Sequence, residues 1–91
     1  MNFIEKHKLY KKFLETKPVS AFHMDWEEGN FYRIKMEYKI DNMNLTVNAF
    51  VDKDVIFGYS ANVMDNKNKV IANYYNPFFA KKLYEHGQRY L

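Results

Sequence analysis

The chain contains no cysteine. That excludes disulfides, thiolate metal sites and cysteine catalysis, and it argues against a small secreted domain, which ordinarily needs such staples. Proline occurs twice and glycine three times in 91 residues, and no two glycines are close in sequence. A glycine-rich phosphate loop is therefore absent, and so is any flexible linker or low-complexity tract. No apolar run approaches the roughly 20 residues a membrane span requires. The first ten residues hold Glu5, Lys6, His7 and Lys8 where a signal peptide would carry an apolar stretch. These absences set the expectation of a soluble, cytoplasmic protein with no cofactor, no metal and no membrane contact.

What is present is apolar and aromatic. Hydrophobic residues make up 47% of the chain, and 17 residues are Phe, Tyr or Trp. That is ample for one core, so disorder is excluded and a single domain over residues 1–91 is expected. So many rings in so small a chain also place several of them at the surface. Lysine outnumbers arginine twelve to two, and Asn, Lys, Ile, Phe and Tyr supply nearly half the residues. All five have AT-rich codons. The lysine excess thus reflects codon bias as much as function, and a net charge of +3 permits anionic partners without demanding them.

The clearest pattern lies in the middle. Tyr32, Ile34, Met36, Tyr38 and Ile40 alternate with Arg33, Lys35, Glu37 and Lys39, the mark of a strand with one buried and one solvated face. Such strands belong to antiparallel sheets. Further strands are expected over 19–26, 45–52, 55–64 and 70–75, separated by polar turns. A helix is expected over 2–16, with Phe3, His7, Tyr10 and Leu14 as its apolar stripe and Pro18 as its stop. A second opens at Asn76-Pro77, a preferred cap followed by a favoured first position, and Gly87 should end it. The fold class is α+β: a five-stranded antiparallel meander with an N-terminal and a C-terminal helix, at least one of them packed on the apolar face. Ile34, Met36, Val47, Ala49, Phe57 and Tyr59 should form the core with Phe3, Leu14, Phe79 and Leu83.

Parity constrains the turns. A four-residue turn would pair Ile40 with Leu45, Lys35 with Phe50 and Arg33 with Asp52. The third and fourth strands both carry their inward residues at odd positions, so their connection needs an odd number of residues or a bulge. With a three-residue loop, Phe50 would face Ile56 on the outer surface.

Catalytic signals are weak. His23 and Asp25 share one side of a strand, but no third group converges on them, and metal or acid–base chemistry needs one. Asp52 and Asp54 lack the glycine and closing glutamate of a calcium loop. His7 and His86 fit structural places on the helices, and Ser20 and Ser60 have no candidate base. A non-enzymatic role is expected.

Surfaces say more. The residues assigned to the outer face are Phe31, Phe50, Ile56, Met64, Ile71 and Tyr75, interleaved with Arg33, Lys35, Lys39 and several Asn, Ser and Thr. Either a helix crosses this face, giving three layers, or it is an apolar patch of the kind that marks an interface. The partner contact is assigned to Phe50, Ile56, Lys35, Arg33 and Tyr75, with Phe50 as anchor. A protein partner fits the mixture of aromatics and both charge signs, and a homodimer through the same face is open. Nucleic acid is the alternative, since aromatics among cations stack bases, but Glu37, Asp52, Glu27 and Glu28 oppose phosphates. In size and composition the chain resembles small phage or mobile-element proteins, some of which block a host defence complex as anti-CRISPR proteins do.

Overall fold

A computed structural model describes residues 1–25, 31–74 and 77–90, with the side chains of residues 22–25 and of Pro77 outside that description. The elements are α1 (Phe3–Leu14), β1 (Ser20–Asp25), β2 (Phe31–Ile40), β3 (Met43–Asp52), β4 (Val55–Met64), β5 (Val70–Asn73) and α2 (Pro77–Gln88). All five strands form one sheet in chain order, each antiparallel to the next. This is the α+β meander that the alternating pattern and the short connections imply, since a parallel crossover needs a dozen or more residues.

The β2–β3 turn has two residues, Asp41 and Asn42, with Asp41 at φ 53°, and it pairs Ile40 with Met43. The expected four-residue turn is thereby corrected, and the register slides by two. Arg33 faces Phe50 and Lys35 faces Asn48. The parity of both strands survives, because a slip of two keeps every side chain on its face.

Between β3 and β4 the turn is again two residues. Lys53 (φ 51°) and Asp54 (φ 67°) both lie in the left-handed region that a tight twisted hairpin requires. The parity mismatch is resolved by a bulge: Phe50 pairs with Gly58 but Val51 pairs with Ile56, leaving Phe57 as the extra residue. The consequence is a reversal. Ile56 packs against the core and Phe57 is 59% exposed, the opposite of both expectations. A second irregularity pairs Val63 with Ala72 and Met64 with Val70, and Ile71, expected on the outer face, packs against the core instead.

Both helices lie on one face of the sheet. Leu9, Tyr10 and Phe13 of α1, and Ala80, Leu83 and Tyr84 of α2, are buried with Met36, Tyr38, Leu45, Val47, Ala49, Ala61 and Val63 in one cluster. Ile34, Tyr59, Leu14 and Phe79 flank it, but Phe3, expected inside, is 77% exposed because the first turn of α1 stands clear of the packing. Tyrosine hydroxyls tie the layers together. Tyr38 donates to the Leu83 carbonyl of α2, and Tyr74 donates to the Lys6 carbonyl of α1, both at 2.8 Å. Asn2 caps α1 by accepting from the Glu5 N–H at 2.8 Å, and its amide donates to the Glu5 carboxylate, a reciprocal cap.

Gly87 does not end α2; it lies within it and is buried. A Cβ there would sit 2.5 Å from Met36 Sδ and 2.6 Å from Tyr38 Oη. The glycine is a point of close approach between helix and sheet.

Candidate interaction face

With both helices on one side, the other face of the sheet carries no helix among the described residues. The three-layer alternative is not what forms. Two different surfaces share this face.

At its centre the rows are polar. Glu37, Thr46, Asn62 and Asn73 lie side by side across β2 to β5, and Lys35, Asn48 and Ser60 form the next row. Lys35 Nζ lies 3.5 Å from Glu37 Oε1, and Ser20 Oγ donates to Glu37 Oε2 at 3.3 Å. Asn48 Nδ2 donates to Ser60 Oγ at 3.2 Å. Thr46 and Asn48 are buried even without a covering helix. Their short side chains lie between longer cross-strand neighbours, Glu37 and Lys35, in a central strand. The partly exposed ion pair adds little to stability, about 0–1 kcal/mol, and this region is a polar lining whose centre, Thr46 and Asn48, is buried.

At the end next to the β3–β4 turn the surface becomes aromatic. Phe31 of β2, Phe50 of β3 and Phe57 of β4 come together, with ring centroids 6.1 Å apart for Phe31–Phe57 and 6.3 Å for Phe50–Phe57. Phe31 is 38% exposed and Phe50 half-buried. Gly58, opposite Phe50, leaves room beside its ring: a Cβ there would meet Phe50 at an ordinary 3.8 Å. Arg33 is the cross-strand neighbour of Phe50, and Asp52 that of Phe31.

Of the residues assigned to the contact from sequence, Phe50, Arg33 and Lys35 share this face. Ile56 does not, because the bulge turns it to the core, and Tyr75 lies outside the described residues, as do Trp26, Glu27 and Glu28. Phe57 is the member that sequence reading missed. The parity conflict between β3 and β4 was its signal, since a bulge on β4 beside the turn reverses the faces of that end of the strand, and Val55 and Phe57 are both exposed.

No group of three or more His, Asp or Glu that could hold a metal ion exists among the described residues. His23 and Asp25 pair in register with Ile34 and Tyr32, and their side chains are not described. Asp54 accepts a long hydrogen bond, 3.4 Å, from the Tyr32 hydroxyl. His86 Nε2 lies 3.0 Å from the Thr16 carbonyl and stacks on Tyr38 at 6.2 Å, which fixes α2 against the end of α1. A shallow open recess lined by Met1, Glu5, Lys8, Leu9, Lys12 and Met43 flanks α1.

Burial raises the pKa of four tyrosines. Tyr74 is pushed up to about 12, first by burial and then by the neighbouring Tyr10. Tyr38 is raised further, by burial and then by Tyr90, and Tyr10 and Tyr84 are raised chiefly by burial. All belong to the packing between helices and sheet. No helix among the described residues is long and apolar enough to cross a membrane. No protein-family model, curated protein or solved structure matches the chain.

Proposed function

We propose that the chain is a small non-enzymatic protein-binding module whose contact is the aromatic end of the helix-free sheet face. One observation carries this reading: Phe31, Phe50 and Phe57 arrive from three strands at one exposed spot, and Phe57 does so through a bulge that breaks the strand pairing. Bulges that re-aim a side chain are features of functional surfaces, and aromatic anchors inside a polar rim are what protein interfaces favour. The rim here is Arg33, Lys35, Asp52 and the polar rows beside them. Such a module acts by occupying a partner's surface. In size and composition that suits the inhibitors by which mobile elements block a host defence complex.

Arg33 beside Phe50 supports a second reading, in which the rings stack the bases of a single strand. Asp52 and Glu37 on the same surface weaken it, because both would face phosphates.

The test is affinity capture from the natural host with the native chain and with Phe57→Ala, each with and without nuclease. A specific protein that survives nuclease and is lost with Phe57→Ala supports the protein-binding reading. Capture abolished by nuclease moves the assignment to nucleic acid. Capture untouched by Phe57→Ala and Phe50→Ala places the contact elsewhere.

A further inference from the structure

The second exposed apolar surface belongs to the helix layer, on the opposite side of the molecule. The two helices run parallel. Tyr10 of α1 meets Phe79 of α2 at 4.8 Å, and at the other end His86 reaches the Thr16 carbonyl. Both N-termini therefore finish at the same end. Phe3 (77% exposed), Ile4 (64%), Phe78 (58%) and Met1 (53%) stand there. Ring contacts join Phe3 to Phe78 across the two helices: Phe3 stacks on His7, His7 meets the edge of Phe79, and Phe79 meets Phe78.

Charge is segregated in the same direction. Residues 1–17 and 77–91 hold eight Lys or Arg against three Glu, whereas residues 18–76 hold six against eight acidic residues. The helical segments are thus net positive by five and the remainder net negative by two. Codon bias raises lysine everywhere and does not sort it between layers. In both helices the exposed apolar residues of the first turn are followed by lysine a turn later, Lys8 after Ile4 and Lys81-Lys82 after Phe78, with Lys82 Nζ 5.5 Å from the Phe78 ring.

We propose that this end of the helix layer docks on the surface of an anionic lipid bilayer. Phe3, Ile4 and Phe78 enter the boundary between headgroups and acyl chains, and the lysines of both helices are held by the negative surface potential. The absence of a spanning helix does not bear on this, since lying on a membrane and crossing it are different demands. A bilayer fits better than the other polyanions. Nucleic acid offers no apolar phase for Ile4 and Met1. The sheet face described above points away from such a surface and stays free for a partner, so neither reading depends on the other.

The experiment is co-sedimentation of the full chain with vesicles of phosphatidylcholine alone, and of phosphatidylcholine with phosphatidylserine at about three to one. Binding is expected on the mixed vesicles at low salt, falling about tenfold or more on neutral vesicles and in high salt. Phe3→Ser with Ile4→Ser, and separately Lys8→Glu with Lys82→Glu, should each lower it about tenfold or more. All four positions are exposed, so circular dichroism and the melting temperature should not move. Phe3→Trp, made together with Trp26→Phe so that it is the only indole, reads insertion without removing the apolar contact, through a blue shift of its emission on mixed vesicles. No binding to mixed vesicles, equal binding to neutral ones, or binding with no shift for Phe3→Trp each overturns the proposal. So does retention on an acidic polypeptide or a DNA oligomer by a chain that ignores vesicles.

Discussion

Gly87 shows how a single residue sets the spacing of the two layers. Alanine is the better helix former by about 1 kcal/mol. The added methyl would press on Met36 and on a Tyr38 hydroxyl already bonded to Leu83, and overpacking of this kind costs about 1–3 kcal/mol. The steric effect wins. Gly87→Ala should lower stability by up to about 2 kcal/mol, the overpacking cost less the helix-propensity gain, read as a lower melting temperature. Ile56 and Phe57 give a paired test of the bulge. Ile56→Ala should lower the melting temperature while Phe57→Ala leaves it nearly unchanged, because the larger side chain is the one in solvent. The tyrosines set the alkaline limit. Their pKa values are raised in the folded state, so the neutral form is favoured by folding, and this stability is fully present below the unfolded value near 10. It is lost as pH rises from about 10 through the folded values, each tyrosine giving up about 1.4 kcal/mol for every pH unit climbed between the two. Melting temperature should be flat to about pH 9 and fall steeply above 10, and a chain that melts alike at pH 8 and pH 11 would refute this account.

At the scale of elements, what was legible in the sequence was periodicity, and what was not was the turns. The Phe31–Ile40 strand could be read directly because its two faces differ so sharply in polarity. Strand order followed from short connections. The turns, however, are set by backbone conformations that Asp41, Lys53 and Asp54 adopt against their ordinary preference. Neither tight turn carries the glycine that would announce a two-residue hairpin. Sequence could show that β3 and β4 needed a bulge or an odd loop, but the two choices have the same parity, and only packing of Ile56 against the core decides between them. The helix stripe was misplaced for a related reason: Phe3 and Phe13 are equally apolar, and the sheet covers only the later part of α1. The strained turn yields its own prediction. Lys53→Asn with Asp54→Gly places the residues that tolerate positive φ where φ is already 51° and 67°. It should stabilise the protein by about 0.5–1 kcal/mol, because the relieved backbone strain outweighs the extra freedom that glycine gives the unfolded chain, and a lower melting temperature would mean that the turn is shaped by side-chain contacts of Asp54 instead.

The whole molecule has two layers and therefore two outward surfaces of different chemistry. One is the sheet face, with three phenylalanines at its end beside rows of Asn, Ser and Thr. The other is the helix layer, apolar at one end and carrying the excess positive charge. Between them lies a single core to which α1 contributes Leu9, Tyr10 and Phe13, and α2 contributes Ala80, Leu83 and Tyr84. Neither layer can bury its apolar side without the other, so unfolding should be one cooperative step. Phe13→Ala removes a ring with no solvent exposure that packs on Tyr38 at 6.0 Å, and should cost about 3–5 kcal/mol, a large share of the roughly 5–15 kcal/mol typical of a small domain. Phe50→Ala lies on the far side of the sheet from that core and should leave the melt nearly unchanged while weakening partner capture. The two substitutions make the surfaces separable. Phe13→Ala should impair both at once through lost folding, and Phe50→Ala should impair only the sheet-face contact. If Phe50→Ala lowered the melting temperature as far as Phe13→Ala does, the aromatic end of the sheet would be a second core and not a surface, and the binding site would have to be sought on the helix layer.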